Sequence, residues 1–185
     1  MAEFRLESER LVLRSWRAEQ DVAPFHAVCS DPEVMATLGP VMSRDEVAAL
    51  IARMQGIEAE HGHCFWAMVR RTDDRLIGWC GAIRGSVGPI VGKAELGWRM
   101  ATDCWGSGYA TEAARMTLDW LFANRDDQAA YAITNVDNRA SRAVMERIGM
   151  TYLEGGEFDH PKVPEGDPLR PHVTYRIARA DWQGQ

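Results

Sequence analysis

No stretch of this chain reaches about 18 consecutive apolar residues, so no membrane-spanning helix and no membrane partner are expected. The opening Met1-Ala2-Glu3-Phe4-Arg5 carries no apolar segment of the secretory kind. Basic charge is in deficit: 21 Lys and Arg stand against 27 Asp and Glu, for a net charge of −6. Such a chain has no basic excess with which to release counterions from a nucleic-acid backbone, so nucleic acid is not an expected partner. The acidic balance suits a cationic or amine substrate. Cysteine is scarce, and Cys29, Cys64, Cys80 and Cys104 follow no pairing pattern. Free thiols in a reducing cytoplasm are the simplest account. There is no internal repeat, low-complexity tract or linker, so residues 1–185 read as one domain.

The clearest chemical signal is Trp105-Gly106-Ser107-Gly108-Tyr109-Ala110-Thr111-Glu112-Ala113. A strand-like run, 94–100, leads into it, and a helix-like run from Thr111 to about Asn124 leads out. Gly106, Gly108 and Ala110 strip side chains from the inside of the turn. Successive N–H groups can then face one concavity at a helix N-terminus, where the dipole favours negative charge. The turn is a phosphate cradle on one reading and a tight packing turn on the other.

The flanking segments are α+β. Residues 10–16 alternate and are β-rich, a first strand. A short helix spans 21–30 and stops at Asp31-Pro32. Ser43-Arg44-Asp45-Glu46 is a capping box that opens a helix with Val47, Leu50, Ile51 and Met54 on one face. Residues 64–70 and 76–83 form a hairpin around Thr72–Arg75. Ala114, Leu118, Leu121 and Phe122 make the buried stripe of the helix after the glycine turn. A strand over 131–136 precedes a short helix, 138–148, with Asn138 at its N-cap and Gly149 closing it. A strand resumes at 150–153. Four of the eight prolines fall between Phe158 and Pro171, a long surface excursion, before a last strand over 172–177.

Two other constellations carry rival chemistry. His61-Gly62-His63-Cys64 gathers two imidazoles and a thiol, as zinc would need. No fourth ligand at metal spacing accompanies them, so no metal is expected. Cys104, just before the turn, is a candidate covalent acyl carrier, though no base is fixed beside it in sequence.

Four segments together resemble the GNAT superfamily of acetyl-CoA-dependent N-acetyltransferases, and more narrowly its RimJ/RimL-like, ribosomal-protein-alanine branch. They are Glu9-Arg10-Leu11-Val12-Leu13-Arg14; Glu95-Leu96-Gly97-Trp98 with the glycine turn; Asn138-Arg139-Ala140-Ser141 with Glu146-Arg147-Ile148-Gly149-Met150; and His172-Val173-Thr174-Tyr175. Trp105 stands where the superfamily places Gln or Arg, as is common in that branch. The resemblance implies a mixed central sheet of about six to seven strands with a splayed central pair, flanked by about four helices. It implies acetyl-CoA as cosubstrate, held by the backbone of Trp105, Gly106, Ser107, Gly108, Tyr109, Ala110 and Thr111 through charge-assisted bonds of about 1.5–3 kcal/mol each. Strand-end groups near Trp98, Arg99 and Met100, together with Asn138 and Ser141, would hold the pantetheine arm. Many members of the superfamily also pair as homodimers.

For the chemistry, the resemblance implies direct attack of an amine on the thioester in a ternary complex. The acceptor would be a protein N-terminal α-amine or a small amine. Glu95 is the leading base, through water, since a carboxylate on a central strand is desolvated; a structural Glu is the bland alternative, and His172 is a second candidate base. Many members carry a Tyr four residues before the closing glycine as general acid. Met145 occupies that position here, which leaves Ser141 or a water to protonate the thiolate. Arg139 and Arg142 are candidates for the cofactor's 3′-phosphate. Trp16, Met35, Trp66 and Trp98 are candidates for the acceptor pocket. The alternative function is a CoA-binding or sensor module that keeps the turn without catalysis.

Overall fold

The computed structural model describes residues 3–183. In chain order the elements are β1 (Arg5–Glu7), β2 (Leu11–Arg14), α1 (Ala18–Cys29), α2 (Pro32–Met35), α3 (Arg44–His61), β3 (Phe65–Arg70), β4 (Arg75–Arg84), β5 (Ala94–Met100), α4 (Tyr109–Asn124), β6 (Ala129–Asn135), α5 (Arg139–Arg147), β7 (Thr151–Tyr152), β8 (Phe158–Asp159), β9 (Pro171–Ala178) and α6 (Arg179–Gln183). The strands form one mixed sheet in the order β1-β2-β3-β4-β5-β6-β9-β7, with β8 also paired to β9. The strand expected over 150–153 is present as the short β7, and beyond the strands expected from alternation the sheet gains β1 and β8, each of three residues or fewer. Segments this short carry too little alternation to announce themselves.

Local signals place most of the elements. The Ser43 hydroxyl accepts from the Glu46 N–H while the Glu46 carboxylate accepts from the Ser43 N–H, closing the capping box on α3. Gly62, at φ 72°, ends that helix in the left-handed region. Val47, Ile51 and Met54 are buried on one face, and Leu50 sits at its margin. Asp21 in α1 is buried with Arg14 of β2, which binds it through two bonds of 2.7 and 2.8 Å and fastens the helix to the sheet.

The two faces of the sheet can be told apart from adjacent residues of β4. Cys80 meets Thr117 of α4, whereas Trp79 packs its ring against Phe25 of α1. Neighbouring strand residues point to opposite faces, so α4 covers one face and α1 the other. Register carries this onto β5, where Trp98 pairs with Cys80 and Arg99 with Trp79. Leu96, Trp98 and Met100 therefore face α4; Glu95, Gly97 and Arg99 face α1. Gly97 has a packing reason on that side, since a Cβ there would lie 2.7 Å from the Phe65 ring.

β5 and β6 run parallel and pair only at Ala94↔Ala130 and Glu95↔Tyr131. Beyond Glu95 they separate, which leaves the β6-facing edge of β5 without a strand partner. This is the splayed central pair, and it opens toward the glycine turn and the start of α5.

Candidate functional site

The splay opens into a cleft of ≈ 1110 Å³. Its walls combine the end of β5 (Trp98, Arg99, Met100), the turn and α4 (Trp105, Gly106, Gly108, Ala110, Thr111), and α5 (Asn138, Ser141). Ten of the residues singled out from sequence thus share one cavity. Ser107 and Tyr109 belong to the same turn without lining it. Glu95 does not line it; it sits where β5 and β6 are still paired.

The turn has the geometry of an anion cradle. Gly106 and Gly108 take φ values of 72° and 80°, left-handed conformations that any side chain would strain. Nothing lies within 4 Å of a Cβ built on Gly106, and at Gly108 only the Arg10 Nη2 approaches, at 3.6 Å. The space above both glycines is open for a ligand. Gly108 is also the N-cap of α4 and offers no side-chain acceptor, so the first N–H groups of the helix are left for another partner. Trp105 contributes differently from expectation. Its own N–H is taken by the Thr102 carbonyl, and its indole N–H donates to Met100 O at 3.0 Å. The donors facing the concavity begin at Gly106.

Glu112 poses an electrostatic question, a carboxylate in the first turn of the helix whose N-terminus faces the cleft. Arg10 answers it. Its Nε donates to Glu112 at 2.7 Å and its Nη1 to Ser107 O at 2.9 Å, and its guanidinium lies 4.6 Å from the Tyr109 ring centroid. The Ser8 hydroxyl donates to the same carboxylate at 2.6 Å. These bonds hold the Glu112 carboxyl below its ordinary range although partial burial opposes them. Arg10 thus neutralises Glu112 and pins the turn at once. Arg10→Ala is expected to weaken CoA binding about tenfold, the equivalent of one charge-assisted hydrogen bond, with acceptor KM unchanged; calorimetry and initial rates check this.

Sequence reasoning missed the cleft's charge. Arg10, Arg99, Arg115, Arg139 and Arg147 line it, against Glu33, Glu112 and Asp137, in a protein whose net charge is −6. Arg139 is exposed on the rim. Arg142 is committed elsewhere, donating to the Tyr175 hydroxyl and to Val136 O at 3.1 Å each. Of the two arginines proposed for a 3′-phosphate, Arg139 is the one left available.

On α5, Asn138 Oδ1 accepts from the Ser141 N–H at 3.1 Å, the helix cap read from the sequence. Its amide nitrogen has no partner among the described residues, and the side chain lines the cleft. The Ser141 hydroxyl likewise has no partner among them. Met145 is buried in the core, so the Tyr position of the wider family holds a packing residue here.

Burial pushes the Glu95 carboxyl up to about 7, although Arg53 and Lys162 pull the other way. It is half ionised near neutral pH, the state a general base needs. His172 packs against Phe158 and His160, and the burial that lowers its pKa keeps it neutral. Its Nδ1 is hydrogen-bonded to Arg170 O at 3.1 Å.

The acceptor-pocket candidates and the two rival constellations are placed as follows. Trp16 and Trp66 are core residues: the Trp16 indole donates to Phe65 O, and Trp66 stacks on Phe4 with centroids 4.0 Å apart. Met35 is buried with them, which leaves Trp98 as the one candidate of that set in the cleft. Cys104 is fully buried, and burial with the neighbouring Asp103 raises its pKa, so it remains a thiol and not a nucleophile. His63 is buried with Nδ1 bonded to Ala82 O at 2.7 Å, and burial raises the Cys64 pKa. Among the described residues no three His, Cys, Asp or Glu gather as a metal site.

A splayed parallel pair over a glycine turn at a helix N-terminus, ringed by arginines, has the shape and charge that suit an extended, phosphorylated ligand. The family model for the acetyltransferase (GNAT) domain matches residues 10–151, and the chain belongs to that family of N-acetyltransferases. Among curated proteins it is similar to the uncharacterized protein YkkB of Bacillus subtilis (28% identity over 151 residues, 82% of this chain and 87% of that one). It is also similar to the uncharacterized N-acetyltransferase YnaD of the same organism (26% identity, 97% of this chain and 99% of that one). Among solved structures it superposes on a GNAT-family acetyltransferase from Bacillus anthracis with TM-score 0.79 (24% identity, 96% and 99% coverage). The microcin C7 self-immunity acetyltransferase MccE, solved with acetyl-CoA and AMP, shares the fold with TM-score 0.75 (12% identity, 92% and 93% coverage). The family's acyl donor is acetyl-CoA.

Proposed function

We propose that this chain transfers the acetyl group of acetyl-CoA to a primary amine by direct attack in a ternary complex. The observation that carries the reading is the continuity of one cleft from the open glycines at 106 and 108, along the unpaired edge of β5, to Ser141 and Asn138. Backbone N–H groups from Gly106 to Thr111 take the pyrophosphate. The Asn138 amide and the end of β5 take the pantetheine arm; there Met100 O and the Ala101 N–H already have internal partners, so the β5 residues before them do that work. When bound, acetyl-CoA supplies an activated carbonyl and a thiolate leaving group.

The roles of the chain's own groups follow from what that reaction requires. The attacking amine must be neutral, and Glu95, ionised near pH 7, removes its proton through a water. A β5 backbone N–H polarises the thioester oxygen. The Ser141 hydroxyl donates to the departing sulfur. The resemblance of the 9–14 and 95–113 segments to the RimJ/RimL-like branch supports a protein N-terminal α-amine as one acceptor class; a small amine is the other. Four buried, unpaired thiols fit a reducing cytoplasm as the setting.

Ser141→Ala is expected to lower kcat by roughly two orders of magnitude or more, the range of general-acid contributions, and to leave CoA affinity unchanged. Thiol release and calorimetry on the same variant test it; lost affinity with normal turnover would make Ser141 a binding residue instead. Acetyl-CoA turnover against a broad amine panel decides between the enzyme and a sensor that binds CoA without reacting.

A further inference from the structure

The Arg99 guanidinium lies in surroundings that do not match its charge. Its Nη1 points at two sulfurs, Cys29 Sγ at 3.1 Å and Met42 Sδ at 3.6 Å, which are weak acceptors. Its plane covers the Trp79 ring, 5.0 Å from the centroid. Its Nε is buried without any partner. No carboxylate lies within 4.0 Å of it among the described residues, and Nη2 has no partner among them either. Arg14 in the same protein shows what a structural arginine looks like: two bonds to Asp21 and a third to Ser15 O. A cation withdrawn from water into sulfur and aromatic surroundings is costly unless an anion completes it.

The position of Arg99 says where that anion comes from. The side chain stands on the α1 face of β5, the face that also carries Glu95. The cradle for the pyrophosphate begins beyond the strand, at the start of α4, which covers the opposite face. Arg99 lines the cleft together with Glu33 and Val34 of α2 and Leu38 of the turn that follows it. Between it and Glu95 the strand carries only Gly97, over which the Phe65 ring lies. Four residues along a strand span about 13 Å between Cα atoms. Glu95 is not among the residues lining the cleft and the Phe65 ring occupies the face between the two, so the guanidinium is the group of that face that reaches the cleft.

We propose that the Arg99 side chain anchors an anionic group of the acceptor, so that the preferred substrate is a small amine that also bears a carboxylate. This rests on the acetyltransferase reading for the reaction itself, not for the binding. Guanidinium and carboxylate match as a planar, two-bond pair. The amine end of such a molecule then lies toward the thioester.

The test uses the CoA-loaded protein and matched probes: L-phenylalanine with phenethylamine, L-methionine with 3-(methylthio)propylamine, and β-alanine with propylamine. Binding is read by calorimetry and thermal shift, and transfer by thiol release from acetyl-CoA. Wild type is expected to bind the carboxylate member of at least one pair about tenfold or more tightly than its partner. In Arg99→Gln that ratio falls to near one, a larger change than any in CoA affinity; Arg99→Lys keeps part of the preference. Equal binding within every pair overturns the proposal. So does a preference that survives in Arg99→Gln, or an Arg99→Gln variant whose main defect is CoA binding. Carboxylate-dependent binding without any thiol release would sink the acetyltransferase reading and leave the anion site standing.

Discussion

Gly108→Val is expected to reduce CoA affinity by roughly 100-fold or more while the protein remains folded. The figure follows from losing two charge-assisted N–H to phosphate bonds at about 1.5–3 kcal/mol each, with each 1.4 kcal/mol a factor of ten. The native φ of 80° disfavours any Cβ, and a branched one most of all. Sterically the protein itself tolerates the group, because only the tip of Arg10 lies near, at 3.6 Å. The damage therefore falls on the ligand's space and on the direction of the N–H groups. Backbone strain of about 1–3 kcal/mol is the accompanying cost in stability. Gly106→Ala, with nothing within 4 Å of its Cβ, separates the two effects, since it adds strain with less bulk in the cradle. Calorimetry with CoA and a thermal melt on both variants read the outcome. Unchanged affinity in Gly108→Val would remove the cradle assignment.

Glu95→Gln is expected to show the opposite balance, with activity lost and stability gained. Turnover should fall by about 10²–10⁴, the usual range for a general base, and the ascending limb of the pH–rate profile near 7 should disappear. The stability effect has a definite sign. The carboxyl titrates at about 7 in the fold, raised by burial from an ordinary 4.5. Between those values the folded state binds more protons than the unfolded chain, so stability falls as pH rises through that window. Above pH 7 the ionised, desolvated carboxylate costs on the order of 3 kcal/mol. Gln removes that cost, and at pH 8 the variant should melt roughly 6–12 °C above wild type. At pH 4, where Glu95 is protonated in both states, the difference should vanish. Normal turnover with an unchanged pH profile would reduce Glu95 to a structural side chain.

The sequence is informative where a signal is local. The capping box at Ser43, the hairpin around residues 72–75, the Asn138 cap and the glycine turn each lie within a few residues, and each stands where periodicity and turn chemistry put it. What escaped is long-range. The Arg10–Glu112 pair joins residues 102 apart, and no local pattern announces it. The ring of arginines around the cleft comes from the bend before β2, from β5, α4 and α5, and is hidden by the negative net charge. Trp16 and Trp66 illustrate the limit from the other side: as apolar residues on or beside strands they suit a pocket or a core equally, and only the stacking of Trp66 on Phe4 and the Trp16 bond to Phe65 O decide it. Arg99 is the instructive intermediate. Its strand and its place at the cleft were legible, yet its meaning lies in what surrounds the guanidinium, two sulfurs and an indole, and those come from three other parts of the chain.

The central claim is that the cleft is an acetyl-CoA site whose phosphate cradle is the backbone from Gly106 to Thr111. A crystal structure of the protein with CoA tests it most directly. Pyrophosphate oxygens are expected within hydrogen-bond distance of those N–H groups, with the pantetheine arm in the gap between β5 and β6 and its sulfur near Ser141. A pyrophosphate bound elsewhere, or a gap closed to the pantetheine arm, would contradict it.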